Sequence, residues 1–169
     1  VPFGDFKLLD KKYNKHNFLI HDYFFAKTLD KVRPGGVIAF ITSSGTMDKR
    51  TSKVRKYIAQ RADLIGAVRL PNNTFKKNAG TEVTADILFL QKRERIMGYP
   101  EKSYDFLGRR SRDGVNELSS RRGGERYKVS GDAPEWVEVA EHETGQFVNR
   151  YFLDNPDMVM GELKEVSGP

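Results

Sequence analysis

The chain has 169 residues with 29 Lys and Arg, 23 Asp and Glu, three His and no Cys, which gives a formal net charge of +6. This length suits one folded core, with or without an appendage. The absence of Cys excludes a disulfide framework, a thiolate metal site and a cysteine nucleophile. The sequence has no apolar run of the roughly 20 residues that span a bilayer and no N-terminal signal segment, so we expect no membrane partner and a cytoplasmic location.

Net charge and the first residue bear on the partners and the origin of the chain. The positive charge permits an anionic partner, but it is weak evidence for nucleic acid on a chain this rich in charged residues. Residue 1 is Val rather than Met. We therefore expect the chain to be a piece of a longer protein.

Composition divides the chain into three stretches. Residues 1–93 have apolar runs separated by turn signals, which is typical of a folded α/β unit. Residues 94–134 are polar and rich in Arg, Gly and Ser, so we expect a mobile insertion, with a nucleic-acid-binding arm as the alternative. Aromatic and aliphatic residues return in 135–169, which we expect to pack on the sheet or on a neighbouring domain.

The first stretch predicts two helices and three strands. Apolar residues at helical spacing predict a helix over 17–32, and the five apolar residues 37–41 predict a strand that is buried on both faces. A second helix is predicted over 49–61, and further strands over 64–70 and 86–90. The basic side chains of the second helix are expected to face mostly outward: Lys49, Arg50, Lys53, Arg55 and Lys56.

The order of these elements predicts the topology. A strand, a helix and a strand at this spacing indicate a right-handed βαβ crossover. The loop before the third strand is too short for a crossover, so we expect the last pair of strands to be antiparallel. The sequence thus predicts an α/β fold with an open, mostly parallel sheet and helices on both faces. Ligands of such folds bind at the carboxyl ends of the strands, where the loop 42–48 is predicted to lie.

Several common site signatures are absent from the sequence. No Gly-rich turn follows a strand and opens a helix, so the chain has neither a dinucleotide fingerprint nor a P-loop. His16 and His21 are five residues apart, which does not fit a helical metal pair, and we expect no metal site. A Ser-His-Asp arrangement from Ser43 or Ser44 with His21 and Asp22 lacks a nucleophile elbow.

Several blocks of sequence follow one another in an order that points to a family. They are Pro2-Phe3-Gly4, the aromatic helix, LDKVRPGGVIAFITSSGTMDKR, IAQRADLIGAVRLPNNTF and AGTEVTADILFLQKR. Together they resemble the later half of the N6-adenine DNA methylase family. That family includes the M subunits of type I restriction-modification systems and the methylase domains of large helicase–methylase proteins of mobile elements. A weaker similarity to the helicase–methylase group covers NRYFLDNPDMVMGEL.

The resemblance implies a partial Rossmann-like methyltransferase fold and a base-flipping motif, Asn-Pro-Pro-Phe or Asn-x-Pro-Phe. Carried onto this sequence, Val1 and Pro2 are the second and third positions of the motif, and Phe3 is the ring that stacks on the flipped adenine. Pro2 and Phe3 are thus the implied catalytic residues, and Phe3 and Gly4 the implied substrate contacts. The Asn that accepts hydrogen bonds from the adenine amine would precede Val1.

Four further residues are candidates for the substrate site. Ser43 and Ser44 follow the central strand. One interpretation is that they contact the target nucleotide or a phosphate. The alternative is that they belong to an ordinary loop that caps the next helix. Lys76 and Lys77 lie in the loop before the last strand. One interpretation is that they contact phosphate, and the alternative is that they are solvated surface residues.

The resemblance implies a function for the intact protein. We interpret the chain as the later part of an S-adenosylmethionine-dependent adenine-N6 DNA methyltransferase, inactive alone because the family's cofactor-binding segments precede the motif. The implied partners are DNA, the rest of the methyltransferase domain, and helicase or specificity domains or subunits. The alternative is a catalytically degenerate Rossmann-like module that binds nucleic acid or partner domains. A third interpretation keeps the methyl-transfer reaction but changes its substrate to RNA or to a protein glutamine.

Overall fold

A computed structural model gives the fold of residues 9–14, 16–99, 128–129 and 132–163. Pro2, Phe3 and Gly4 lie outside the described residues, and so does most of the predicted insertion. Among the described residues of that insertion, Met97–Gly98 and Lys128–Val129 pair as short parallel strands.

The described part of the chain contains six short α-helices and seven strands. The helices are α1 (Lys11–Asn14), α2 (Ile20–Lys31), α3 (Gly45–Asp48), α4 (Lys53–Arg61), α5 (Lys76–Ala79) and α6 (Arg150–Asp154). The strands are β1 (Val37–Ser43), β2 (Ala62–Leu70), β3 (Ala85–Lys92), β4 (Met97–Gly98), β5 (Lys128–Val129), β6 (Val139–Glu141) and β7 (Phe147–Asn149). Single 3₁₀ turns span Glu135–Val137 and Pro156–Met158. None of the helices in these ranges is long and apolar enough to span a membrane.

The main sheet has three strands in the order β1-β3-β2. β3 pairs antiparallel with both neighbours, which confirms the antiparallel last pair and does not show the expected mostly parallel sheet. β1 and β2 run in the same direction, as a helical crossover requires, but β3 occupies the place between them. A hydrophobic pattern fixes which segments become strands and leaves their neighbours unspecified, and for this reason the pairing differs from the prediction.

Three predicted boundaries differ from the structure for local reasons. The first helix begins at Ile20 because Asn17 has a positive φ of 49°, which a right-handed helix cannot contain. The predicted loop 42–48 is instead the end of β1 followed by the helical turn α3. Lys49 has a ψ of 127°, which lies outside the helical region, and the next helix begins at Lys53 rather than at residue 49.

The apolar core lies on one face of the main sheet. Phe25 of α2, Ile58 of α4 and Phe152 of α6 pack there in one cluster with the sheet residues Leu88 and Leu90. The opposite face exposes large apolar side chains on all three strands: Val37, Ile41, Ile65 and Phe89. The prediction that residues 37–41 are buried on both faces is therefore wrong for the described part of the chain, and the described helices that form this core lie on one face of the sheet.

Arg55 is also placed differently from the prediction. Its side chain is buried, although the sequence pattern assigned it to the outward face of its helix. The Nε atom donates to the carbonyl oxygen of Val137 at 2.7 Å, and Nη1 donates to that of Thr46 at 3.2 Å. Nη2 has no hydrogen-bond partner among the residues that the structure describes. Arg55 thus connects α4 both to α3 and to the 3₁₀ turn Glu135–Val137.

The C-terminal segment, defined as residues 132–163, contributes to the core. Val148 and Phe152 are almost fully buried, and Trp136 packs against the same cluster. The Tyr151 hydroxyl accepts a hydrogen bond from the backbone N–H of Ala67, beside the irregularity in the pairing of β2 and β3. Val159 forms a single parallel bridge with Arg69 at the free edge of β2.

Phe152 tests whether the C-terminal segment stabilises the fold. The change Phe152→Ala removes a ring that is 1% exposed and should lower the free energy of unfolding by about 3–5 kcal/mol. Met158→Ala, at a side chain that is 39% exposed, serves as the control and should change it by about 0.5 kcal/mol or less. Urea denaturation measures both values, and equal effects would show that the segment is not part of the core.

Candidate functional site

A cavity of about 590 Å³ opens at the carboxyl ends of β1 and β2. This is the place at which α/β sheets generally bind ligands, and the volume is within the range of small-molecule sites. Two parts of the chain form its walls: the loops at the strand ends and the C-terminal segment. The lining residues are Ser44, Asp48, Arg69, Leu70, Pro71, Asn72, Asn73, Thr84, Gln146, Val159, Met160, Gly161, Glu162 and Leu163.

Arg69 joins the elements that surround this cavity, which we call the strand-end cavity. Its Nε and Nη2 atoms donate to the two carboxylate oxygens of Asp86 at 2.8 and 2.9 Å. Nη2 also lies 2.9 Å from Oδ2 of Asp48, in α3. The guanidinium group lies over the ring of Phe152, 4.2 Å from the ring centroid. One side chain thereby connects β2 to β3, to α3 and to α6.

Burial and neighbouring charges shift the pKa values of Arg69 and Asp86 in opposite directions. Burial lowers the pKa of Arg69, but the hydrogen bonds and charges of Asp86 and Asp48 outweigh it, so the pKa is raised above its ordinary value. Burial raises the pKa of Asp86, and the Arg69 guanidinium opposes that shift. A bidentate pair is the arrangement in which a buried guanidinium and a buried carboxylate keep their charges.

Asn149 fixes the C-terminal segment to the same network. Its backbone N–H donates to Oδ1 of Asp48 at 2.9 Å, and its side-chain amide donates to the carbonyl oxygens of Met47 and Trp136, both at 2.9 Å. The side-chain oxygen in turn accepts from the backbone N–H of Tyr151 and caps α6. Asn149 is completely buried, so its side-chain amide makes three hydrogen bonds, and its backbone N–H a fourth, in place of water.

The polar side chains at the mouth of the cavity differ from this network. Within the described ranges, the side chains of Ser44, Asn72, Asn73 and Thr84 make no hydrogen bond to the protein. Asn72 and Asn73 are exposed, and Ser44 and Thr84 are half-buried. These groups are therefore available to a ligand without the loss of an internal hydrogen bond.

The structure separates the four described candidates from the sequence analysis. Ser44 lines the strand-end cavity, whereas Ser43, the last residue of β1, does not. Lys76 and Lys77 lie on α5, in the loop between β2 and β3, and neither lines the cavity. Lys76 forms an ion pair with Glu82.

Sequence reasoning missed most of the residues that line the cavity. The signal for Arg69 and Asp86 was a charged residue within each of two apolar strands, since strand-interior charges are rare unless they are paired. Asn72 and Asn73 had no such signal, because amides after a Pro are ordinary turn residues.

His21 lies beside a carboxylate in the described part of the chain. Nε2 of His21 lies 3.3 Å from Oδ1 of Asp22, the next residue in the chain. Burial raises the pKa of Asp22, and His21 and Lys49 oppose that shift. Over the described residues, no group of three or more His, Asp or Glu side chains is arranged to hold a metal ion.

Comparison with known proteins identifies a family. Residues 6–121 match the family described as N-6 DNA Methylase, so the match continues past residue 93. The chain is also 32% identical over 96 residues to the Defense against restriction protein B of Escherichia phage P1. The alignment covers 54% of this chain and 4% of that protein, so the chain spans a small fraction of the length of this relative. The loops at the strand ends lie within the family match, whereas the C-terminal segment lies outside it.

Removal of Arg69 should destabilise the fold more than removal of an ordinary arginine. Arg69→Met leaves the buried carboxylate of Asp86 unpaired and should lower the free energy of unfolding by about 3–5 kcal/mol. Adding Asp86→Leu should recover most of that loss, because the uncompensated charge is then gone. Arg95→Met, at an exposed position, is the control. If Arg69→Met and Arg95→Met have the same denaturation midpoint, the network does not stabilise the fold.

Proposed function

Since the chain belongs to the N-6 DNA methylase family, we propose that it forms the later part of an S-adenosylmethionine-dependent adenine-N6 DNA methyltransferase domain. The match of residues 6–121 to that family is the observation that carries the proposal. DNA is the proposed substrate. The further proposed partners are the rest of the methyltransferase domain and the helicase or specificity components that act with it.

The proposed roles of the site residues follow from the chemistry of the target. The lone pair of an adenine amine is delocalised into the ring, so the enzyme must flip the base out of the duplex and accept hydrogen bonds from the amine. We assign the stacking ring to Phe3, with Pro2 and Gly4 beside it. Ser43 and Ser44 are proposed to contact the target nucleotide.

Lys76 and Lys77 are proposed to bind phosphate. Both belong to α5 on the loop between β2 and β3, whose two ends line the strand-end cavity. Lys77 is exposed, and the ion pair of Lys76 with Glu82 is at the surface, where it costs little to break. The lysines can therefore reach a backbone phosphate outside the cavity.

The described residues do not fit the methyl donor. S-adenosylmethionine carries a carboxylate that needs backbone N–H groups or a cation, yet Nε and Nη2 of Arg69 in the cavity wall already bind Asp86 and Asp48. The sequence also lacks a Gly-rich turn between a strand and a helix. We therefore propose that the S-adenosylmethionine-binding site lies in another segment of the methyltransferase domain and that this chain alone is inactive.

Tritium transfer from labelled S-adenosylmethionine tests the function. The protein that contains this chain together with the rest of the domain should label DNA, and hydrolysis should release N6-methyladenine. The isolated chain should neither label DNA nor bind the cofactor with micromolar affinity. Label in RNA or in protein glutamine would show that the substrate is RNA or protein rather than DNA. Binding of DNA without any methyl transfer would support a catalytically degenerate module instead.

Phe3→Ala tests the stacking role in that larger protein. Loss of the ring should weaken productive base flipping by about 1–3 kcal/mol, which is the usual value of a stack between a base and an aromatic ring. The rate of methylation of a duplex measures the change. Leu9→Ala is the control, since the Leu9 side chain is 97% exposed, and it should leave the rate unchanged. A wild-type rate for Phe3→Ala would contradict the stacking role.

A further inference from the structure

Three arginines in the described part of the chain lie over aromatic rings. They are Arg50 over Phe147, Arg61 over Tyr57 and Arg69 over Phe152. Arg61 and Arg69 donate their N–H groups to oxygen atoms of the protein. Arg50 differs, because it is exposed and its guanidinium makes no hydrogen bond or ion pair to any residue that the structure describes. Its N–H donors are therefore available to a partner.

The contact with Phe147 prepares the guanidinium group of Arg50 for binding. The central carbon of that group lies over the ring, 4.1 Å from its centroid, where a cation is attracted to the aromatic face. A side chain that is already held in this way loses fewer conformations when it binds a ligand than a free side chain does. The N–H donors form a planar fork that matches two oxygen atoms of a phosphate.

The Arg50 stack, as we call Arg50 and Phe147 together, lies at the rim of the strand-end cavity. Asp48, two residues before Arg50, and Gln146, directly before Phe147, both line the cavity. Arg50 follows α3 in the part of the chain that matches the family, whereas Phe147 belongs to β7 in the C-terminal segment. The guanidinium group is thus held at the cavity rim by a ring that lies outside the family match.

The chain around Arg50 is strongly basic. Residues 49–56 contain five Lys and Arg and no Asp or Glu. Lys49 and Lys53 are exposed, and Lys56 lies three residues after Lys53 on the same side of α4. A surface with several cations and no carboxylate of its own attracts a polyanion more strongly than it attracts a single small anion.

From this arrangement we propose that the Arg50 stack binds a backbone phosphate of a nucleic acid beside the strand-end cavity, with Lys49 and Lys53 adding positive charge around it. The ring of Phe147 fixes the guanidinium group for this contact. The proposal rests on the proposed function in one respect, that the partner is DNA. It goes further by assigning a phosphate contact to the loop between α3 and α4, and by giving the C-terminal segment a part in DNA binding.

The salt dependence of DNA binding tests the phosphate contact. The 169-residue chain is titrated onto a fluorescent DNA duplex at several NaCl concentrations, and anisotropy gives the binding constant. Arg50→Gln should weaken binding about fivefold at low salt. It should also reduce the slope of log K against log [salt] by about 0.9, the value for one phosphate contact.

Arg33→Gln is the control with the same change of charge. Arg33 is exposed in the turn before β1, at the opposite end of that strand from the cavity, so its loss should leave the slope unchanged. Equal slopes for the Arg50 and Arg33 variants would show an effect of net charge alone and would overturn the proposal. Absence of DNA binding by the wild-type chain at low salt would overturn it as well.

A double-mutant cycle tests the role of the ring. Phe147→Leu keeps an apolar side chain at this half-buried position and removes the aromatic face. It should weaken DNA binding about threefold in the chain that keeps Arg50 and have no effect in the Arg50→Gln background. Arg50→Lys, which keeps the charge and loses the planar fork, should weaken binding about threefold with an unchanged salt slope. Additive effects of Phe147→Leu and Arg50→Gln, or full affinity of Arg50→Lys, would contradict the assignment.

An internal ion pair is the alternative role for Arg50. Glu141 lies directly opposite Phe147 in the pairing of β6 and β7, so the two side chains share one face of this hairpin. If Arg50 binds phosphate, Glu141→Gln should tighten DNA binding about twofold, because it removes a negative charge near the phosphate. Equal losses of denaturation midpoint in Glu141→Gln and Arg50→Gln, with DNA binding unchanged in both, would assign Arg50 to an internal ion pair and contradict the proposal.

The outcome is separable from a failure of the proposed function, because DNA binding by the chain requires no methyl transfer. In the larger protein, Arg50→Gln should raise the KM for DNA about fivefold and leave kcat unchanged. Methyl transfer with an unchanged KM would contradict the phosphate contact and leave the proposed function standing. A salt slope that depends on Arg50, without any methyl transfer by the larger protein, would support the contact and remove the proposed function.

Discussion

The paired charges of Arg69 set the geometry on which the rest of the structure depends. A guanidinium and a carboxylate as buried as those of Arg69 and Asp86 are stable only when each satisfies the other. Their bidentate pairing connects β2 to β3, and the contact of Arg69 with Asp48 fixes α3 at the ends of the strands. Because Asp48 also accepts the N–H of Asn149, the C-terminal segment is held against the same point. The walls of the strand-end cavity are thus positioned by one network.

The elements of the first 93 residues follow from local sequence, but their arrangement does not. Apolar runs and the turn at Pro34 predict the three strands and the two longest helices in the correct order, but not the four-residue helices α1, α3 and α5. The sheet order depends on long-range pairing, which local patterns do not encode. Val37 and Ile41 look like core residues because their run is uniformly apolar, yet 60% and 49% of their surfaces are exposed in this chain.

The candidate site was less predictable than the fold. Ser44 could be found because it follows a predicted strand, where α/β sheets bind ligands. The burial of Arg55, which does not line the cavity, was not predictable either: a basic residue on an amphipathic helix ordinarily faces solvent, and its burial depends on carbonyl groups 9 and 82 residues away in sequence. Asn72 and Asn73 become recognisable only when the fold brings the end of β2 beside the C-terminal segment. A cavity between distant segments has no local sequence pattern.

The central claim is that the C-terminal segment and the sheet form one cooperative unit through the Arg69 network. Native-state amide hydrogen exchange tests it most directly, with the N–H of Asn149, bound to Asp48, compared with the N–H of Leu88 in the central strand. The account predicts that both amides exchange only through global unfolding, with the same protection. Rapid exchange at Asn149 while Leu88 remains protected would show that the segment opens independently, and would contradict the claim.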